Sequence, residues 1–454
     1  MDKFIIHGGN ALKGEIIISG SKNASLPILP ATLLARGVFK IDNVPNITDT
    51  YSMIEILRHL NAEVTYDPGS SSLKIDTTNA VCKDVTPELT KKMRASYYLL
   101  GALLGMYHHA NVAMPGGDTF GVRPIDLHLK GFEKLGAKVD TEHVKDPATD
   151  KETDVIKAKA EKLLGNYIYF DKVSVGATIN TMLAAVRARG ITVIENAARE
   201  PHIVATASFL NLMGAQIRGA GTRTITIHGV SELHGCNYTI IPDQIEAGTY
   251  MVAAAATGGD LLIINAIANH LEPISKKLRE CGATVEDKIY VVKDEKIYDA
   301  VRVCAAGRLY SCNIKTEPHP GFPTDMQAQF SAMLCTCLGN SLVEEGVWGA
   351  DRFRYTEQLK LMGANLLVSG SEMFVESVEK LKGCEVEADD IRAGAALVIA
   401  GLCAEGTTVI SNVHHIERGY EDIVAKLTAV GADISRRTFP DPPKESQQQK
   451  SEDP

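Results

Sequence analysis

Cationic side chains at the mouths of helices are the main chemical resource of this sequence. In "SGSKNASLPILPATLLA" a strand-like run ends at Gly20 and an apolar helical pattern begins near Ala24, so Lys22 stands beside a helix N-terminus. Open backbone N–H groups and an ammonium there favour a phosphate or carboxylate. The same pattern also fits a surface lysine beside an ordinary serine cap. In "MPGGDTFGVRP" a Gly-Gly turn carries Asp118, and Arg123 precedes Pro124, which suits the first turn of the following helix. Arg94 opens an apolar helix in "KKMRASYYLLG". Asp325, just after Pro323 and just before a helix, reads either as part of an N-cap or as a carboxylate able to take a proton from a hydroxyl. "DDIRAGAAL" and "HHIERGYE" place Arg392 and Arg418 at helix edges. A guanidinium fork grips phosphate or carboxylate with two hydrogen bonds at once, although any one such arginine equally suits a surface ion pair.

The elements that must bring them together repeat along the chain. "LNAEV" at Leu60, "LGAKV" at Leu135, "MGAQI" at Met213, "CGATV" at Cys281, "MGANL" at Met362 and "VGADI" at Val430 resemble one another. They recur at roughly 70–80 residues. Each follows an amphipathic stretch such as "PIDLHLKGFEKLGAKV", where Ile125, Leu129, Phe132 and Leu135 keep helical spacing, and each precedes a short β-branched run. The pattern predicts six helix-then-strand units. None is large enough to bury its own faces, so three per domain is the natural division. Pro30, one turn beyond Pro27, predicts a kink in the helix after Lys22.

Of the 454 residues, 45% are hydrophobic and 23% charged, an ordinary globular balance for two to four domains. A net charge of −9 without a dense basic run argues against nucleic acid as a partner. The N-terminal stretch lacks the apolar core of a signal peptide, and the longest apolar run, Ala393 to Ala404, is too short to span a bilayer. Nine scattered cysteines, with only "CTC" at Cys335 to Cys337 close together and no partners at metal-ligand spacing, predict reduced thiols, no metal site and a cytoplasmic setting. A proline-rich, polar C-terminus predicts a disordered tail after about Arg437.

Nine stretches in order, "SGSKNASLPIL", "MRASYYLLG", "PGGDTFGVRPIDLHL", "DKVSVGAT", "ENAAREP", "IPDQIEAGTY", "PGFPTDMQAQ", "DIRAGAALVIAG" and "HIERGYE", resemble the UDP-N-acetylglucosamine 1-carboxyvinyltransferases, a family of enolpyruvyl transferases. The resemblance covers nearly the whole chain up to the tail. It implies an α/β fold of two domains with EPSP synthase-like inverted α/β barrel architecture, each domain three βαβαββ units about a pseudo-threefold axis. The expected division is 22–241 for the first domain, which carries a mobile catalytic loop. Residues 1–21 with 242–437 form the second, and 438–454 the tail.

The implied reaction moves enolpyruvate from phosphoenolpyruvate to the 3′-hydroxyl of UDP-N-acetylglucosamine and releases phosphate, the step that opens peptidoglycan synthesis. No organic cofactor or metal is implied. By position, Lys22, Asn23, Arg123, Arg392 and Arg418 are expected to hold phosphoenolpyruvate. Arg94, the run Arg123, Pro124, Ile125, Asp126 and Leu127, the run Lys172 to Gly176 with Ser174 and Val175, Asp325 and Val347 are expected to hold the nucleotide sugar. Asp325 is the expected base.

Asp118 stands where most members carry a cysteine that acts as the acid, and some carry aspartate. A carboxyl group serves there only when protonated, although its solution pKa lies about three units below neutral. Insensitivity to fosfomycin, which alkylates that thiol, is the corresponding expectation. Further departures are Gln244 where arginine is usual, His202 where an acidic residue is common, and "VWGADRF" in place of the usual Phe-Glu-Asn. They leave room for another nucleotide acceptor or for a non-catalytic paralogue that binds nucleotide sugar. 5-Enolpyruvylshikimate-3-phosphate synthase itself is disfavoured, because its Asn-Ala-Gly-Thr loop is replaced here by "PGGDTFG".

Overall fold

The computed structural model describes residues 1–91, 93–114, 125–145 and 152–440. All six repeated segments fold alike, for one local reason. An amphipathic helix ends at His59, Lys134, Leu212, Glu280, Leu361 or Ala429. The second residue of the segment then takes a left-handed φ: 64° at Asn61, 92° at Gly136, 102° at Gly214, 94° at Gly282, 90° at Gly363 and 97° at Gly431. The alanine after it donates back into the last turn. Ala62, Ala137, Ala215, Ala283, Ala364 and Ala432 reach the carbonyls of Leu57, Phe132, Leu210, Leu278, Leu359 and Leu427 at 3.0 to 3.1 Å. This geometry satisfies carbonyls that a helix end leaves open and aims the chain into a strand. Strands start at the residue after the alanine, at Glu63, Lys138, Gln216, Thr284, Asn365 and Asp433.

Between these outer helices run six inner ones: Lys22–Ala31, Tyr98–Tyr107, Val175–Ala185, Gln244–Ala256, Gln327–Leu334 and Ile391–Cys403. They are apolar on nearly every face, as a helix wrapped by protein must be. The first three belong to a core built from Ala24 to Ile240, and the last three to a core that joins Phe4–Ile18 to Ala247–Ile434. In the first of them the α-helix stops at Ala31, one residue past Pro30, and tightens into a 3₁₀ turn at Thr32–Leu34.

The described strands form five four-stranded sheets and one of three strands. These six sheets answer to the six units, and none closes into a hydrogen-bonded barrel among the described residues. Lys13–Ile17 lies parallel to Asp260–Ile264 in the second core, and Asn237–Thr239 lies parallel to Val38–Asp42 in the first. The chain therefore passes between halves at Ser19–Ser21 and again at Ile241–Asp243. The two passages are bonded side by side, Ser21 N to Ile241 O at 2.7 Å and Asp243 N to Ser19 O at 2.9 Å. Gly20 must be glycine here, because a Cβ would stand 1.7 Å from Asn43 O. On these crossings we propose the division into 22–241 and a second part formed by 1–21 with the chain from 242 onward.

The C-terminal boundary differs from expectation. The last strand, Asp433–Thr438, pairs with Asp2–His7 through Thr438, and Phe439 N donates to Met1 O at 2.8 Å. Pairing with the first strand carries order past Arg437, because an edge partner satisfies backbone groups that a polar tail would give to water. No described helix is long and apolar enough to cross a membrane. All nine cysteines are free thiols.

Candidate active site

The repeat explains where the chemical residues stand. Each inner helix begins at a residue group singled out above. Lys22 and Asn23 open the first, and the turn Arg94–Tyr97 leads into the second. Ser174 caps the third, ahead of Val175 and Gly176, and Gln244 opens the fourth. Asp325 lies in the turn Thr324–Met326 that leads into the fifth, and Arg392 is the second residue of the sixth. Buried helix starts offer open N–H groups and a partial positive charge, so the repeat builds an anion-seeking crevice wherever these ends meet.

Two of them meet at the chain crossings. Ser21 caps its helix, its Oγ accepting from Ala24 N at 3.3 Å. Asp243 caps the other, accepting from Ile245 N at 2.7 Å and Glu246 N at 3.0 Å, and it also accepts from Lys22 N at 2.9 Å. Burial lifts the Asp243 carboxyl above its ordinary range, and those three N–H donors oppose the lift.

The ammonium of Lys22 lies 2.9 Å from Asp49 Oδ2, and Arg418 Nε lies 3.0 Å from Asp49 Oδ1. Arg418 Nη2 adds a longer contact to Oδ2 at 3.4 Å. Asp49 sits in the first turn of the helix Thr48–His59, its side chain only 2% exposed. One buried carboxylate thus gathers two cations, one from each half of the molecule.

A second group forms around Asp325. Its Oδ1 accepts from Arg352 Nη2 at 2.6 Å and from Arg392 Nε at 2.5 Å. The N-cap reading of Asp325 is not met: Pro323 precedes the turn without a side-chain cap bond, and the carboxylate turns to the guanidiniums instead. Arg352 also donates from Nε to Thr324 Oγ1 at 3.0 Å. Burial pulls its guanidinium below the ordinary arginine value, and the neighbouring Arg392 charge adds to this while Asp325 opposes it. Arg392 is aimed by Asp390, which caps its helix by accepting from Arg392 N at 2.6 Å and Ala393 N at 2.8 Å.

Glu345, 3% exposed, ties this group to Val347. It accepts from Gln327 Nε2 at 2.9 Å, from Thr324 Oγ1 at 3.0 Å, and from the backbone N–H of Val347 at 3.0 Å and Trp348 at 2.9 Å.

A small cavity is lined by Asn23, His202, Gln244 and His270. The carbonyl oxygen of Gln244 is buried there without a hydrogen-bond partner. Burial drives His202 down to about 4, so it is neutral near pH 7; the charge of Asp325 acts on it in the opposite direction. The halves touch again where His319 N donates to Glu200 Oε1 at 3.4 Å and where Asn46 N donates to Glu421 Oε2 at 2.8 Å.

The remaining expected residues cluster on the first core. Ser174 Oγ accepts from Ala177 N at 3.2 Å, Lys172 is exposed, and Ile125 caps the helix Asp126–Lys134 that carries Asp126 and Leu127. Asp118, Arg123 and Pro124, with the side chain of Arg94, lie outside the described residues. Sequence reasoning missed Asp49, Arg352, Glu345 and His128. An acidic residue in a first helical turn, or an arginine in "GADRFRY", carries no local mark that separates it from surface charge. Among the described residues no three His, Cys, Asp or Glu side chains are placed to hold a metal ion.

A profile of the family described as EPSP synthase (3-phosphoshikimate 1-carboxyvinyltransferase) matches residues 6–427. The chain is 51% identical over 436 residues to UDP-N-acetylglucosamine 1-carboxyvinyltransferase 3 of Caldanaerobacter subterraneus subsp. tengcongensis, covering 96% of this chain and 99% of that protein. It is also 51% identical to the UDP-N-acetylglucosamine 1-carboxyvinyltransferase of Clostridium botulinum, covering 96% of this chain and 100% of that one. Among solved structures, the enolpyruvyl transferase NikO from Streptomyces tendae superposes with a TM-score of 0.83 at 26% identity, covering 97% of this chain and 99% of NikO. An EPSP synthase from Acinetobacter baumannii superposes at 0.73 with 18% identity, covering 96% of this chain and 100% of that one, a likeness of fold.

Proposed function

This chain belongs to the EPSP synthase (3-phosphoshikimate 1-carboxyvinyltransferase) family, and we propose that within it the protein transfers enolpyruvate from phosphoenolpyruvate to the 3′-hydroxyl of UDP-N-acetylglucosamine. Phosphate is released, and the product enters peptidoglycan synthesis in the cytoplasm. The observation that carries this reading is the meeting of Lys22 and Arg418, from opposite halves, on Asp49. Full-length relatives at 51% identity that bear the UDP-N-acetylglucosamine name support the acceptor.

In this reading Lys22, Asn23, Arg123, Arg392 and Arg418 hold phosphoenolpyruvate. Arg94, the run 123–127, Lys172 to Gly176 and Val347 hold the nucleotide sugar. Asp118 gives a proton to the methylene carbon of phosphoenolpyruvate as the sugar oxygen bonds to the adjacent carbon, and Asp325 accepts the hydroxyl proton. The tetrahedral adduct then expels phosphate and loses a proton from the new methyl group, which restores the vinyl ether. Fixed cations and helix starts stabilise the charge on the adduct without having to reorganise, an effect worth about 3 kcal/mol for a single well-aimed donor. Asp325, held by Arg352 and Arg392, is kept where an acceptor hydroxyl can approach it.

The likeness to NikO, with Gln244 and Trp348 at departures from the family pattern, keeps a different nucleotide acceptor as the second reading. Phosphate release from phosphoenolpyruvate, measured with UDP-N-acetylglucosamine, UMP and shikimate 3-phosphate, separates them. Release with the first alone supports the proposal. Release with UMP alone supports the second reading, and release with none of the three refutes both.

A further inference from the structure

The three segments expected to hold the nucleotide sugar share one buried node. His128, 6% exposed, sits one turn into the helix Asp126–Lys134. Its ring stands edge-on to Tyr97, centroids 4.9 Å apart at 79°, and Tyr97 ends the turn that begins at Arg94. Its far edge lies against Gly176 in the first turn of Val175–Ala185. A Cβ on Gly176 would come within 2.6 Å of His128 Cε1 and 2.7 Å of Nε2. The glycine is therefore required by the ring, since its backbone is not in a left-handed conformation.

Asn180, fully buried on the same helix as Gly176, sets the protonation of that ring. Its Oδ1 accepts from Gly101 N at 2.9 Å, and its Nδ2 donates to Tyr97 O at 3.1 Å. A backbone N–H can only donate and a carbonyl can only accept, so the amide cannot be turned round. The remaining Nδ2 hydrogen faces His128 Nδ1 at 2.8 Å. Nδ1 must then present a lone pair, and the ring carries its proton on Nε2, the atom beside Gly176.

We propose that His128 is a positioning residue for the nucleotide sugar. As a neutral ring with its proton on Nε2, oriented by Asn180, it sets the spacing between the Arg94–Tyr97 turn, the start of Asp126–Lys134 and the start of Val175–Ala185. The inference rests on the substrate reading above, because those are the segments that reading assigns to the nucleotide sugar.

His128→Asn keeps an acceptor where Nδ1 stands. His128→Gln and His128→Phe do not. In steady-state phosphate release, the Gln and Phe variants should raise KM for UDP-N-acetylglucosamine about tenfold or more, with kcat and KM for phosphoenolpyruvate within about threefold of the parent. His128→Asn should recover most of that loss. Nitrogen-15 NMR of labelled histidine should report His128 in the parent as neutral with the proton on Nε2, and Asn180→Asp, which puts a carboxylate oxygen against Nδ1, should move a proton onto that nitrogen.

Equal kinetics in all three variants, a fall in kcat with KM unchanged, or a parent ring protonated on Nδ1 overturns the proposal while leaving the substrate reading intact. A parent enzyme that releases no phosphate with UDP-N-acetylglucosamine overturns the substrate reading, and this inference with it.

Discussion

Replacing His202 with glutamine should flatten the loss of stability on mild acidification. His202 is 8% exposed, and burial lowers its pKa from 6.5 to about 4. In the unfolded chain the ring takes up a proton near pH 6.5, whereas in the folded protein it stays neutral until about pH 4. Between those values the unfolded state binds more protons, so stability is full above the unfolded value and is lost as pH falls towards the folded one. The two facing groups act in opposite senses: Asp325 favours the charged ring and His319 disfavours it, and neither overcomes the burial. With those two pKa values, going from pH 7 to pH 4.5 costs the folded state about 2.5 kcal/mol through this one ring. Glutamine has similar bulk and does not titrate. Urea unfolding followed by circular dichroism at both pH values, for parent and variant, gives the difference directly. The carboxylates and the other buried histidines contribute equally to both proteins and cancel. Parallel pH dependence, the two differing by less than about 0.5 kcal/mol, would mean that His202 is solvated or already charged, and the neutral wall beside Asp325 would be lost from the description of the crevice.

Asp118→Asn should lose most turnover, about 10²-fold or more, while still binding UDP-N-acetylglucosamine by calorimetry; full turnover would remove Asp118 from the chemistry, and a fosfomycin adduct mapped by mass spectrometry to residues 115–124 would contradict the expected insensitivity. Asp49→Asn leaves two cations facing each other across the crevice and should destabilise the protein by about 2 kcal/mol and raise KM for phosphoenolpyruvate; unchanged urea midpoint and unchanged KM together would show that Asp49 organises neither cation. Arg352→Met removes one of the two guanidiniums on Asp325 and should lower kcat about tenfold or more, with near-parent kcat in a folded variant excluding that role. Gly363→Ala forces a side chain into a φ of 90° at a helix end and should cost about 1 kcal/mol in unfolding free energy.

The repeat was legible because its signals are local. A helix that stops, a left-handed residue and a strand that starts all fall within five residues of "LGAKV" and its five relatives, and backbone sterics alone select glycine or asparagine at the turn. The helix-edge placements of Lys22 and Arg392 were legible for the same reason: a helix start is written in the residues that make it. What each charge faces is not local. Lys22 is 27 residues from Asp49, while Arg418 comes from the far end of the chain, and nothing near either position distinguishes their shared carboxylate from a surface aspartate. The residues around Asp325 suit a cap and a base alike, and only the packing of Arg352 and Arg392 onto one of its oxygens separates the two. Helix ends, turns and the buried faces of each unit were therefore decided by the order of residues. The pairing of charges across the crevice, and the protonation of His128 and His202, were decided only when distant segments packed, because burial and Coulomb energy depend on distance in space and carry no periodic mark along the chain.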